Sequence, residues 1–305
     1  MAAEFTEESV PDQGERTAFV TGANSGIGFE AARVLAGRGA RVLIGCRSPG
    51  RAAGARDRIL SAHPSADVEI VELDLASLAS VREAAERVSE EPRLDLLINN
   101  AGIMIPPREE TSDGFESQFG VNHLGHFALT GLLLDKVRST AGSRIVSVSS
   151  NAHKGGAIDF DDLQAEKSYS RVGRYNMSKL ANLLFIFELQ RRLEAAGGKT
   201  IAVACHPGVS DTELKRYIPS WVMLFSPIMN LMSHDPPEAA LPTLRAATDP
   251  AAEGGQYFGP SNFFEFYGPP ILVDPIAASR DEETARRLWD VSIELTGVDP
   301  GLAAG

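Results

Sequence analysis

The stretch TGANSGIG, residues 21–28, decides how this chain folds. It follows directly on the β-prone run TAFV at 17–20 and opens into FEAARVLAGRG, whose apolar residues recur at helical spacing. A strand, a glycine turn and a helix in that order are the context in which spaced glycines carry meaning. In that context Gly22 makes the tight turn, Gly26 lets a pyrophosphate approach the backbone, and Gly28 lets helix and strand pack closely. The opening turn of the helix then faces the phosphates with its unpaired N–H groups. Asn24, Ser25 and Ile27 lie between these glycines and are expected along the same ligand. A bare structural turn is the plainer reading of the spacing alone, and what lies downstream argues against it.

Downstream, short apolar runs alternate with helix-length segments: RVLIGC at 41, VEIVEL at 68, LDLLIN at 94, RIVSV at 144 and TIAVACH at 200, with stretches such as SVREAAERVSEE between them. Strands joined through helices imply βαβ units with right-handed crossovers. Near-continuous rather than alternating strand hydrophobicity points to strands buried on both faces. The expected fold is α/β: a single-domain, Rossmann-like, doubly wound parallel sheet with helices on both faces, over residues 16–298. No internal repeat, low-complexity tract or Pro/Gly/Ser-rich linker divides it. A loose acidic arm is expected over 1–15 and a tail over 299–305.

The chain has 305 residues, of which 43% are apolar and 23% charged, as in an ordinary globular protein. Its net charge of -12 lacks the positive field that phosphate-backbone binding needs, so no nucleic acid partner is expected. Cys46 and Cys205 each end a run that reads as a buried strand, so no disulfide framework is indicated and a cytoplasmic location is expected. The N-terminal MAAEFTEESVPDQGE is acidic and has no apolar centre, unlike a secretory signal. No transmembrane segment is expected, because no run reaches the roughly 18 to 20 apolar residues that spanning requires.

The end of the second strand bears on the choice of nicotinamide cofactor. An acidic side chain there binds a free ribose 2′-hydroxyl, whereas arginine accommodates a 2′-phosphate. Here it reads GCRSPGR, with Arg47 in place, Arg51 behind it and no carboxylate. NADP(H) is favoured, with NAD(H) left open.

In RYNMSKLANLLFIF, residues 174–187, Leu180, Leu183, Leu184 and Phe187 form a helical stripe, and Tyr175 and Lys179 stand four residues apart at its edge. Such a pair is usually helix surface. The motifs TGANSGIG, LDLAS at 73–77, NNAG at 99–102, VNHLGHF at 121–127, VSVSS at 146–150, YNMSK at 175–179 and HPGVSDT at 206–212 together resemble the short-chain dehydrogenase/reductase family, in family order from about residue 16 to 260.

The resemblance implies Tyr175 as general acid/base, with Lys179 lowering its pKa and holding the nicotinamide ribose. It further implies Ser150 as the carbonyl-orienting serine, with Ser149 the runner-up, and Asn122 as the residue that holds a water behind the lysine. Asp74 is implied at the adenine, Asn100 to Gly102 along the cofactor, and Val209 and Thr212 beyond the sixth strand. The physics is consistent. Bringing a phenol from near pH 10 to neutrality takes about three units, or ~4 kcal/mol. An ammonium ~4 Å away at an effective dielectric of ~20 contributes about that much, and a phenol so tuned can donate or remove a proton.

Ser150 and Tyr175 are 25 residues apart, about a dozen more than in compact members of the family. The extra segment NAHKGGAIDFDDLQAEKSYSR, with SQFGVNHLGHF and SKLANLLF, resembles the branch of retinol dehydrogenases, WW-domain oxidoreductases and protochlorophyllide reductases. That resemblance implies NADP and a lipophilic small-molecule carbonyl or alcohol partner. The segment is expected to rim the substrate mouth, with an ordinary surface excursion the alternative.

A substrate lid is expected around 210–235, where IPSWVMLFSPIMNLM offers Trp221, Met223, Phe225 and Met229. A packing helix, a membrane-surface contact and an oligomer contact compete with that reading, and a homo-oligomer stays open. His123 and His126 lie one helical turn apart, but no carboxylate or cysteine joins them at ligand spacing, so no metal is expected. The sequence therefore points to an NADP(H)-dependent oxidoreductase interconverting a lipophilic aldehyde or ketone and its alcohol. Reduction of a conjugated C=C bond and non-catalytic dinucleotide sensing or scaffolding are the alternatives.

Overall fold

In the computed structural model, which describes residues 4–208 and 235–303, the six apolar runs become strands where the sequence places them. They are β1 (Thr17–Thr21), β2 (Arg41–Cys46), β3 (Asp67–Glu72), β4 (Leu96–Asn99), β5 (Arg144–Val148) and β6 (Ile201–Cys205). The helices that carry the argument are α1 (Gly26–Gly37), α2 (Pro49–Ala62), α3 (Leu78–Ser89), α4 (Gly125–Arg138), α5 (Arg171–Ala195), α6 (Leu241–Thr248) and α7 (Glu282–Thr296).

Two further strands, β7 (Tyr257–Asn262) and β8 (Tyr267–Leu272), complete one sheet of order β3-β2-β1-β4-β5-β6-β7-β8 among the described residues. Neighbours from β3 to β7 pair in parallel. Strand order reverses at β1, between β2 and β4, so a crevice opens beyond the carboxyl ends of β1 and β4, where α/β sheets bind their ligands.

Side chains alternate across the sheet and feed two cores. Val20, Ile44 and Ile98 pack with Phe29, Leu35, Ile59 and Leu244 from α1, α2 and α6. Phe19, Leu43 and Leu97 turn the other way and pack with Val81, Phe127, Leu133 and Ile186 from α3, α4 and α5. Each fully buried side chain of this size contributes roughly 1.5–3 kcal/mol relative to exposure.

The expected parallel sheet carries one antiparallel edge, because β8 runs antiparallel to β7. Residues 263–266 join them, far too few for a crossover, and Phe263, Phe264 and Glu265 all turn at positive φ (34°, 55° and 64°). Pro269 and Pro270, which disguise the strand in the sequence, are tolerated because β8 is an edge. One expectation needs correction, the looseness of the arm. Residues 4–15 lie docked, since Phe5 and Val10 join the first core and Glu7 pairs with Arg33 at 2.7 Å. The tail is held where Arg192 Nη1 donates to the Leu302 carbonyl at 2.8 Å.

Candidate active site

The glycine turn is shaped by what has no room for a side chain. Gly22 sits at φ 69°, and a Cβ there would come 2.9 Å from the backbone of Ala101. At Gly28 a Cβ would lie 2.3 Å from Asn100 Nδ2 and 2.7 Å from the Gly22 carbonyl. Asn100 secures the turn from β4, its Nδ2 donating to the Thr21 carbonyl at 2.8 Å. Ser25 is the N-cap residue of α1 but makes no capping bond, so the first N–H groups of the helix lack the usual side-chain acceptor. That arrangement suits an anion such as a pyrophosphate. Asn24, Gly26 and Ile27 lie on the same turn, half-buried, and Ser25 is exposed.

Behind the turn runs a buried polar chain. The Thr21 hydroxyl accepts N–H bonds from Asn100 (2.9 Å) and Ala101 (3.0 Å) and meets His126 Nε2 at 2.9 Å. His126 Nδ1 lies 3.1 Å from the Asn122 carbonyl, which can only accept. Burial pushes the pKa of His126 down to about 4, so the ring is neutral. Nδ1 therefore carries the proton, and Nε2 accepts from Thr21.

Asn122 lies in a π-helical turn, Gly120–Leu124, that runs into α4; such widened turns recur at functional sites. Its amide is fully buried and wholly engaged. Oδ1 accepts the Ile103 N–H at 2.8 Å, and Nδ2 donates to the Ile103 carbonyl and to Ser178 Oγ, each at 3.0 Å. A Cβ on Gly102 would approach Asn122 Oδ1 to 3.1 Å and Lys179 Nζ to 3.5 Å, which places all three together.

Tyr175 is half-buried, Lys179 is buried, and the ammonium lies 5.7 Å from the centre of the phenol ring. Lys179 Nζ also donates to the Val148 carbonyl at 3.2 Å, which ties α5 to the end of β5. The two serines diverge because successive residues of the extended chain just past β5 face opposite ways. Ser149 is buried and donates to the Lys179 carbonyl at 2.8 Å, whereas Ser150 is half-buried and accepts the Ala152 N–H at 3.2 Å.

The long segment between Ser150 and Tyr175 is packed rather than a loose excursion. Ile158, Phe160 and Leu163 lie against a third core with Phe119, Met177 and Leu180. Asp162 accepts N–H groups of Glu166, Lys167 and Ser168 and pairs with the buried Arg174 at 3.1 Å, next to Tyr175. Those bonds hold the Asp162 carboxyl below the ordinary carboxylate range.

Other candidates are distributed as follows. Arg47 is exposed just past β2, and Asp74 follows β3, its Oδ1 accepting the Ala76 N–H at 3.0 Å. Val209, Thr212 and the lid expected around 210–235, with Trp221, Met223, Phe225 and Met229, lie outside the described residues apart from Asp235. His123 faces away from His126 and meets Ser292 Oγ at 2.8 Å; among the described residues no group of three metal-binding side chains forms. The Cys205 thiol is fully buried and pushed up to about 12, which removes it as a nucleophile, and Cys46 is likewise buried and unpaired. No helix among the described residues is long and apolar enough to cross a membrane.

Sequence reasoning passed over Thr21 and weighed His126 only as a metal ligand. It also passed over Gln118, whose signal was its spacing: two carboxamides, Gln118 and Asn122, four residues apart. Gln118 is fully buried and accepts the N–H of Ile105, a β-branched residue held at φ 57° immediately before a proline. That conformation costs on the order of 1–3 kcal/mol and persists only where neighbours enforce it.

A glycine turn at the crossing point of a mostly parallel sheet, with a tyrosine and lysine paired at the end of its fifth strand, defines a nucleotide-dependent oxidoreductase of Rossmann type. The short chain dehydrogenase family matches residues 16–222, more than half of the chain, and the chain belongs to that family. Retinol dehydrogenase 14 of Homo sapiens is 45% identical over 303 residues, covering 93% of this chain and 87% of its own length. A crystal structure of an uncharacterised protein from Mycobacterium paratuberculosis is 40% identical, covers 98% of this chain and 100% of its own, and superposes with a TM-score of 0.84. A structure from Beutenbergia cavernae, assigned as an NAD(P)-dependent gluconate 5-dehydrogenase and holding NADP at low occupancy, is 26% identical. It covers 84% of this chain and 96% of its own, with a TM-score of 0.63.

Proposed function

We propose that this chain is an NADP(H)-dependent oxidoreductase interconverting a lipophilic aldehyde or ketone and its alcohol, with Tyr175 as general acid/base. The observation that carries the reading is the buried Lys179 ammonium beside the Tyr175 ring. In that position the cation favours the phenolate and makes the phenol a usable acid. Ser150, half-buried at the end of β5, is assigned to direct its hydroxyl proton to the substrate oxygen, while Tyr175 gives or takes the proton at that oxygen. Asn122 backs the pair from the π-turn, and the second lone pair of its backbone carbonyl is assigned the water behind Lys179.

The chemistry of the residues fits a dinucleotide. Gly22, Asn24, Ser25, Gly26, Ile27 and Gly28 take the pyrophosphate on the uncapped start of α1. Arg47 takes the 2′-phosphate, Asp74 the adenine, and Asn100 and Gly102 the nicotinamide side; Lys179 holds the ribose, and Val209 and Thr212, outside the described residues, are assigned to the same cofactor. The NADP held by the Beutenbergia cavernae structure supports the choice of cofactor. When bound, the nicotinamide supplies or takes up the hydride. The retinol dehydrogenase relative, 45% identical, supports a lipophilic substrate. We further assign a cytoplasmic location, which two buried, unpaired cysteines support.

The test is an NADPH titration followed by a panel of aldehydes and one enone with product analysis. NADPH oxidation with alcohol as product is the expected result. Binding without turnover across the panel would replace the enzyme by a sensor, and a saturated ketone from the enone would replace carbonyl reduction by C=C reduction.

A further inference from the structure

The strained residue Ile105 is held by a bracket that the chemistry above does not use. Its N–H donates to Gln118 Oε1 at 2.9 Å. Gln118 Nε2 in turn donates to the Arg171 carbonyl at 3.0 Å and to Tyr169 Oη at 3.3 Å. The Tyr169 hydroxyl returns to the loop, donating to the Pro106 carbonyl at 2.9 Å. Burial raises the Tyr169 pKa, so the phenol keeps the proton that this bond needs. The circuit closes on itself and leaves no polar atom of the Gln118 amide idle.

Its location gives it a use. Arg171, Tyr175 and Lys179 fall at i, i+4 and i+8 on one face of α5. The strip Gly102–Ile105 runs beside that face. At one end Gly102 approaches Lys179 Nζ, and at the other Ile105 is tied through Gln118 to Arg171. Tyr175 lies between the two ends. Asn122 grips Ile103 and Gln118 grips Ile105, so Met104 and Ile105, both half-buried and apolar, are fixed along the approach to Tyr175. A β-branched residue at positive φ is retained where a glycine would relieve the strain, and such strain gathers where position matters for function.

We propose that Gln118 and Tyr169 are positioning residues, and that Met104 and Ile105, held by them, form the wall that selects the shape of the lipophilic substrate. The proposal rests on the oxidoreductase reading, and it specifies that selection favours a long, straight apolar chain over a short, compact one. The strip Gly102–Ile105, held at Ile103 and Ile105 beside the face of α5, offers an extended chain more contact than a compact one. Tyr169 belongs to the long segment after Ser150, so that segment acts on selectivity by bracing this wall.

The experiment uses the full chain and two variants, Ile105→Gly and Tyr169→Phe, each assayed with NADPH against decanal and benzaldehyde and followed by thermal unfolding and amide hydrogen exchange. Ile105→Gly is expected to lower the decanal-to-benzaldehyde ratio of kcat/KM by about tenfold, mainly through KM for decanal. NADPH affinity should stay within about twofold and the melting temperature should not fall, because the strain is released. Tyr169→Phe is expected to lower the same ratio about threefold and to speed exchange at the Ile105 N–H, whose bond to Gln118 should protect it in the wild type. An unchanged ratio in both variants overturns the proposal, as does a ratio that falls only in step with melting temperature. If the wild type reduces neither aldehyde, the oxidoreductase reading fails first. Decanol binding to the NADP-loaded protein, by calorimetry, then judges the wall: binding unaltered in Ile105→Gly overturns it, and binding weakened about tenfold upholds it.

Discussion

Around the glycine turn, order comes from positions where a Cβ has no room; around Tyr175, it comes from side-chain hydrogen bonds between residues far apart in the chain. Gly22 and Gly28 face backbone at distances no side chain tolerates, so the turn has essentially one conformation. On the other flank the loop after NNAG is sewn to the segment after Ser150 by Tyr169 to Pro106, Glu116 N–H to Gln164 Oε1, and Arg108 to the Ala165 carbonyl. The first kind of order tolerates no added atom. The second can be loosened one bond at a time.

The contrast can be broken most severely at the chemistry. Tyr175→Phe should lower kcat by about 10²–10⁴-fold, the range of a lost general acid, while NADPH affinity in fluorescence titration stays nearly unchanged. Comparable turnover in the variant would remove the assigned proton donor.

On the steric flank, Gly28→Ala should destabilise the fold by ~1–3 kcal/mol in urea unfolding, because the new methyl meets Asn100 and the Gly22 carbonyl. NADPH binding should weaken with it. A variant that binds and melts like the wild type would show that the turn has slack.

The pH response sharpens the comparison where the two flanks meet. His126, behind the turn, and His153, behind Ser150, are both pushed down to about 4 by burial, and His123 to about 3. Each ring is neutral when folded, so on acidification the unfolded chain takes up protons first. Stability is full above about pH 6.5 and falls below it, by up to ~1.4 kcal/mol per pH unit for each histidine, until the folded pKa is reached. Urea midpoints from pH 8 to 5 should follow this course, and His126→Gln should reduce the slope by about one proton. An unchanged slope would mean that His126 is charged in the folded state.

The smallest effect is expected at the exposed edge of the cofactor flank. Arg47→Glu should weaken NADPH by roughly tenfold, the order of one charge-assisted hydrogen bond, and NADH much less. Equal losses for both cofactors would end the 2′-phosphate assignment.

Much of this was legible because it is local. Six strands, the glycine turn and the spacing of Tyr175 and Lys179 follow from periodicity and from residues a few positions apart. What escaped was non-local. In β7 and β8, prolines and aromatics obscure the alternation, and their pairing depends on an edge position that the sequence does not display. The docking of residues 4–15 was hidden because Phe5 and Val10 are isolated among acidic neighbours and find their partners only on the assembled core.

Taken alone, the sequence determined the alternation of strand and helix, the phosphate-facing turn and the tyrosine–lysine pair, since each is set by φ/ψ preference or by one turn of helix. Only the tertiary structure decided which of the two serines is buried against α5, that Asn122 sits in a buried π-turn, and that Gln118 and Tyr169 hold Ile105 in a left-handed conformation. These depend on hydrogen bonds between residues tens of positions apart, whose geometry exists only after the sheet has assembled.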